Sequence, residues 1–297
     1  MDTRQIEYIL QIAEENNITK AAEKLFITQS ALNQQLLKLE KELGTPLFHR
    51  SRTNWRLTEA GEIYIEGAKA ALQIKNTTYN RIYDVVSARK GHLTIGLTPG
   101  RGLRMFTAIY PELHRSFPNL DVRPIEMRVR AQQDAIAKGE IDVGLMTLAR
   151  RDQTSDTYYP LKQEELVLII PAGHPLAAKA APSGKPLATL DLTELRYEPF
   201  VLMDKTSTLR SSCDLLFEKA GFAPNILFET NNTSGIAAMV QSTLCCGIIP
   251  RYYTLGLTEG VACFSLPERP SWEIVISCQK NGYLNSGARE FIRLARE

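Results

Sequence analysis

The chain has 297 residues, 44% of them hydrophobic and 23% charged, and 35 Lys and Arg against 33 Asp and Glu leave a formal net charge of +2. That length accommodates two or more domains, and the composition is that of a globular protein rather than a disordered or fibrous one. No apolar run approaches the roughly eighteen residues of a membrane span, and Asp2, Glu7, Glu14 and Glu15 stand where a signal peptide would have its apolar block, so the chain is expected in the cytoplasm.

Ile6, Ile9, Leu10 and Ala13 recur at helical spacing and predict a first helix over roughly residues 2 to 15, ended by Asn16 and Asn17. Thr19 is the expected cap of a short second helix with Ala21, Ala22 and Leu25 facing inward. Thr28 is the expected cap of a third, whose Leu32, Leu36, Leu39 and Leu43 form its inner stripe up to Gly44. The outer face of this third helix is unusual. It carries Gln29, Ser30, Asn33 and Gln34, with Lys38 one turn further on, where a plain solvated helix shows Glu and Lys.

Gln and Asn bond adenine bidentately, and Ser bonds either kind of base edge. Two helices joined by a short turn, behind one packing helix, make a helix-turn-helix whose second helix enters the major groove. Thr28, Gln29, Ser30, Asn33, Gln34 and Lys38 are therefore the candidate contacts to double-stranded DNA. In PLFHRSRTNWRLT, Leu47 and Phe48 read as anchors, while His49, Arg50, Arg52 and Arg56 lie on a polar hairpin. This is a wing for phosphate or the minor groove. Between residues 41 and 56, Lys41, Arg50, Arg52 and Arg56 face one acid, Glu42, which makes a local basic ridge on a nearly neutral chain.

From Glu59 to about Ala88 there is no proline and only Gly61 and Gly67. Tyr64, Ala68, Ala71, Thr78, Ile82 and Val85 share one stripe, interrupted by Lys75. A helix of about 29 residues spans roughly 44 Å. It is expected to have little core of its own and to pair with its copy.

Residues 1 to 75 resemble the N-terminal region of the LysR-type transcriptional regulators. The resemblance rests on Ala21-Ala22, Leu25, Thr28-Gln29-Ser30-Ala31-Leu32, Leu39-Glu40, Leu43-Gly44, Leu47-Phe48, Arg50 and Leu57-Thr58-Glu59-Ala60-Gly61. Ser30 stands where the family commonly has Pro, and Asn33 where it commonly has Ser, so no operator sequence is carried over.

Beyond residue 90, the strand-like stretches LTIGL, DVRPIEM, IDVGLM, LVLII, FVLM, ILFE, CCGII, VACF and EIVIS alternate with helical patterns around 102–116, 130–138, 208–220 and 233–244. The alternation predicts α/β units with mainly parallel sheets. The resemblance continues here, on Gly91-His92-Leu93, Gly139-Glu140-Ile141-Asp142, Gly173-His174-Pro175-Leu176 and Gly247-Ile248-Ile249-Pro250. It implies an effector domain of two subdomains, like a periplasmic binding protein. The expected plan is an all-α winged helix-turn-helix at 1–58 and a linker helix at 59–88. The α/β effector subdomains follow, the first at 91–164 and 266–297, the second at 165–265.

Ligands of open α/β sheets collect at the carboxyl ends of strands. Thr98-Pro99-Gly100-Arg101, Thr206-Ser207-Thr208 and Asn232-Thr233 fall there at helix starts, and Thr147 follows IDVGLM. These are the candidate contacts to a small, anionic effector, with Arg101 as its cation. The expected assembly is a dimer through the linker helix and a tetramer through the effector domains. RNA polymerase is a further candidate partner.

No GxSxG, Walker loop, HExxH or GxGxxG occurs, and His49, His92, His114 and His174 are scattered, so neither catalysis nor a cofactor is expected. The five cysteines lack metal spacing and read as buried reduced thiols. A thiol-based redox regulator of the same architecture is the alternative, although Thr208 precedes the Leu209-Arg210 pair before which peroxide sensors of the family place their reactive cysteine.

Overall fold

The computed structural model describes residues 2–51, 55–86, 89–182, 184–257 and 259–297. The chain forms two compact units, one of residues 1–92 with 119–121, the other of 93–118 with 122–297.

In the first unit, α1 spans Thr3–Glu15, with the Asp2 carboxylate accepting from the Arg4 N–H. α2 spans Ile18–Lys24, and its cap is Asn17 rather than the expected Thr19. Asn16 takes a left-handed conformation (φ 49°), which ends α1 and leaves Asn17 extended. Asn17 Oδ1 then accepts from the N–H groups of Thr19 and Lys20 at 2.9 and 3.1 Å. α3 runs Gln29–Leu43, from the expected Thr28 cap to a left-handed Gly44. Leu32, Leu36 and Leu39 are buried with Ile6, Ile9, Ile12 and Ala21, whereas Leu43, at the helix end, is 45% exposed.

β1 (Phe48–His49) and β2 (Arg56–Leu57) pair antiparallel. Their base is held by Glu40, a buried carboxylate that accepts from the Leu47 N–H at 2.8 Å and pairs with Arg50. α4 (Glu59–Val85) starts at Thr58, whose N–H donates to the Leu47 carbonyl at 3.0 Å. A side chain at Gly61 would place its Cβ 2.1 Å from that carbonyl, so the Leu57–Gly61 motif depends on a missing Cβ.

The stripe expected along α4 divides. Tyr64 and Ala68 are buried in the core of the first unit, so the helix does have a core of its own there. Ile82 and Val85 are exposed, as are Ile63, Ile74 and Tyr79. Ala88 lies outside the described residues.

All nine predicted strand stretches beyond residue 90 are strands. In chain order the elements are β3 (Lys90–Leu97), α5 (Arg101–Ser116), β4 (Asn119–Glu126), α6 (Val129–Ala137), β5 (Val143–Leu148), β6 (Thr157–Pro171), β7 (Pro199–Met203), α7 (Thr208–Lys219), β8 (Asn225–Thr230), α8 (Thr233–Gln241), β9 (Gly247–Pro250), β10 (Val261–Ser265), β11 (Ser271–Cys278) and α9 (Ser286–Arg296). One sheet has the order β10-β6-β11-β5-β3-β4 with β9 also on β6, and β7 pairs with β8.

The sheets are mixed, not mainly parallel. β3–β5 and β7–β8 are parallel, but β6 runs antiparallel to β9, β10 and β11, and β11 runs antiparallel to β5. Alternation of element types carries no strand direction, and two strands here run against their neighbours. β6 also begins nine residues before LVLII, because its first half, TYYPLKQEE, is polar and contains Pro160. Its partners change at Glu165, from β11 to β9 and β10. The apolar cluster around Phe200, Phe217 and Phe264 packs one side of that change, and the one around Val129, Ile136 and Met146 the other.

Candidate nucleic-acid interface and effector cleft

On α3 the inner leucines fix which face is free. Thr28, Gln29, Ser30, Gln34 and Lys38 are exposed and Asn33 is half-buried. Gln29 and Asn33 lie one turn apart, as do Ser30, Gln34 and Lys38, so both rows project from one side. Thr28 is committed locally, since its Oγ1 accepts from the Ala31 N–H at 3.2 Å. A groove of about 350 Å³ brings Gln29 together with Asn17–Thr19 and with Arg50, Ser51 and Trp55 of the wing.

The wing differs from expectation at Arg50. Its guanidinium pairs with Glu40 and stacks 5.5 Å from the centroid of the Trp55 ring. It is a strut of the fold before it is a cation for phosphate. Arg56 is exposed on β2, and Arg52 lies outside the described residues.

In the second unit, all ten residues picked for an effector line one cleft of about 410 Å³. That is the size of a small-ligand site. The start of α5 at Gly100, of α6 at Arg128, of α7 at Ser207 and of α8 at Asn232 all open onto it. α5 and α6 have no side-chain cap, whereas Ser207 Oγ caps α7 and Asn232 Oδ1 caps α8. Thr208 Oγ1 donates to the Thr147 carbonyl at 3.0 Å, and the Thr206 hydroxyl bonds Asp204 at 2.6 Å. The hydroxyl of Thr98 and Nε of Arg101 are buried without a partner among the described residues.

Two family models cover the chain. "Bacterial regulatory helix-turn-helix protein, lysR family" matches residues 3–62, and "LysR substrate binding domain" matches residues 87–297. The chain belongs to the LysR family. It is a DNA-binding transcriptional regulator with an effector-binding domain. The HTH-type transcriptional regulator YcgK of Bacillus subtilis (strain 168) is 29% identical, over 100% of this chain and 94% of that protein. The Hca operon transcriptional activator HcaR of Escherichia coli (strain K12) is 27% identical, over 100% and 98%. Among solved structures, full-length CbnR complexed with its target DNA superposes with a TM-score of 0.70 at 20% identity, over 100% and 99% of the two chains.

In this LysR-family cleft, the cation expected to meet the effector is already engaged. Arg101 pairs with Glu164 at 3.4 Å and lies 3.6 Å from the centroid of the Tyr252 ring, and Glu164 also accepts from Trp272 Nε1 at 3.1 Å. Nor is Arg101 the one cation. Arg128 lines the cleft as well, paired with Asp204 at 2.5 Å. The rule that selected Thr98–Arg101, a strand's carboxyl end before a helix, also fits Arg128 after β4. Tyr253 and Trp272 had no such signal, because they arrive from distant chain segments.

The thiols of Cys213 and Cys246 are pushed up to about 12 by burial, and burial also raises Cys245, Cys263 and Cys278. Such thiols are protonated at neutral pH and weak nucleophiles. No group of three His, Cys, Asp or Glu suited to a metal occurs among the described residues, and no described helix is long and apolar enough to cross a membrane.

Proposed function

We propose that this LysR-family regulator reads base edges with Gln29, Ser30, Asn33 and Gln34, and contacts the backbone through Thr28, Lys38, Arg52 and Arg56. Arg50 supports the wing through Glu40 and adds its charge to the same ridge. The effector is a small metabolite with an anionic group, bound between two subdomains that meet where β6 changes partners. What carries this reading is that three separate loops and Thr147, chosen for their place after strands, line one cleft with four helix N-termini around it. Helix N-termini favour negative charge.

Ile63, Ile74, Tyr79, Ile82 and Val85 on α4 suit a dimer through the linker helix, and two-fold symmetry matches a pseudo-palindromic site. A tetramer through the effector domains and contact with RNA polymerase complete the proposal. Its place of action is the cytoplasm, with its DNA.

Footprinting on the promoters flanking its own gene, followed by calorimetric screening of small anions against the purified chain, tests the reading. Protection of a pseudo-palindrome, altered by an anion that binds the cleft, is the expected result. A monomer in light scattering at micromolar concentration, or protection of isolated half-sites, would overturn the assembly.

A further inference from the structure

The two arginines of the cleft are held differently. Arg101 has 14% of its side chain exposed and Glu164 only 6%, and the Tyr252 ring covers the guanidinium. Arg128 is 42% exposed. It leaves its own helix α6 without a side-chain cap and reaches to the turn before α7, where Nη1 donates to Asp204 Oδ1 and to the Thr206 hydroxyl. Asp204 Oδ1 is crowded. It also accepts from the Thr206 N–H at 3.0 Å and from the Thr206 hydroxyl at 2.6 Å. The second carboxylate oxygen, Oδ2, is buried and has no partner among the described residues. Arg128 holds the Asp204 carboxyl well below the usual carboxylate range, so it is ionised at neutral pH.

We propose that Asp204 is a tethered stand-in for the effector's anionic group, and that a carboxylate or phosphate on the effector takes Arg128 from it. The proposal rests on reading the cleft as the effector site and names its exchangeable charge. An anion arriving beside α6 meets the Arg128 guanidinium and the uncapped first-turn N–H groups of that helix, a stronger donor set than the guanidinium alone. Asp204 keeps the Thr206 N–H and hydroxyl, so its turn survives the exchange. One link across the cleft is then lost, while the bond from Thr208 to the Thr147 carbonyl remains.

A carboxylate attached to the same chain competes at an effective concentration in the millimolar range or above. The effector's apparent affinity is lowered by the fraction of Arg128 so occupied. The device therefore sets a threshold concentration, and it discriminates against neutral ligands, which displace nothing.

The test uses the full-length chain labelled with 5-fluorotryptophan. The sequence has two tryptophans. Trp272 lines the cleft and Trp55 belongs to the wing, so a Trp55→Phe sample assigns the two fluorine resonances. Inorganic phosphate, succinate and neutral glycerol are titrated at constant ionic strength. Asp204→Asn keeps an acceptor for Thr206 but removes the competing charge, and should lower the half-saturation concentration of at least one anion about tenfold. Arg128→Gln should abolish the anion response, and glycerol should be without effect in every variant. Phosphate and succinate, run as separate arms, tell which anion shape the site takes.

If Asp204→Asn binds the anions no better than the unmodified chain, or Arg128→Gln binds them equally well, the exchange is wrong while the cleft remains the anion site. If neither anion moves the Trp272 resonance in the unmodified chain or in Asp204→Asn, the anionic-effector reading itself falls, and the exchange with it.

Discussion

The helix-turn-helix head and the proposed effector cleft handle their candidate functional side chains in opposite ways. On α3, Gln29, Ser30 and Gln34 project from a helix whose other face is locked by fully buried Leu32 and Leu36. The amides of Gln29 and Gln34 face solvent on a rigid mount, the Ser30 hydroxyl shares a 3.1 Å hydrogen bond with Thr28 Oγ1, and this is the face proposed to meet bases. In the cleft, the comparable groups are bonded to one another: Thr206 to Asp204, Thr208 to Thr147, Arg128 to Asp204, Arg101 to Glu164. A reader of fixed base edges gains from preorganised free donors. A switch gains from internal bonds that a ligand must replace, because only a difference in contacts between two states shifts a population.

The largest test concerns the two charge pairs. Glu40 has 9% of its side chain exposed, against 26% for Asp204. Arg50 itself is 37% exposed, close to the 42% of Arg128, so the contrast rests on the buried Glu40 carboxylate, which would lose one charge-assisted hydrogen bond of about 1.5–3 kcal/mol. Arg50→Ala should therefore lower the stability of the first unit by about 2 kcal/mol in urea unfolding. A change below about 1 kcal/mol would make Arg50 a surface charge and erase the contrast with the exchangeable Arg128.

Next in size is the reading face. Gln34→Ala should cost about 1–3 kcal/mol at one base pair of the operator, measured by gel shift across single-base variants, with unfolding unchanged. A uniform loss across all variants would instead place Gln34 on the backbone. On the cleft side, Thr208→Val removes the donor to the Thr147 carbonyl and should cost about 1 kcal/mol in unfolding of the second unit. Stability equal to the parent would show that this hydroxyl is free for ligand.

The smallest effect is a gain. Phe26, in the turn between α2 and α3, is 95% exposed and has a φ of 54°. The left-handed region suits Asn far better than a bulky residue. Phe26→Asn should raise the melting stability of the first unit by up to about 1 kcal/mol. No gain would mean that the Phe26 ring contributes contacts that exposure alone does not reveal.

From the sequence alone, the helices of the head, the Thr28 and Gly44 boundaries of α3 and the face carrying Gln29, Ser30 and Gln34 were legible. Each depends on residues within a turn or two, and helical periodicity states which side is buried. The three loops of the cleft were legible for a related reason: a strand followed by a helix puts its connection at the sheet's carboxyl edge whatever the partners are. Local spacing also misled where two neighbours compete. Asn17 rather than Thr19 caps α2, because the left-handed turn at Asn16 decides which side chain meets the free N–H groups.

Only the tertiary structure decided the charges. Arg50 finds Glu40 ten residues away, Arg101 finds Glu164 sixty-three away and Arg128 finds Asp204 seventy-six away. Pairing over such separations follows from how sheets and helices are brought together, which no periodicity encodes. Strand direction has the same origin. β6 and β11 read as ordinary apolar strands, and that they run against their neighbours is set by where the chain re-enters the sheet.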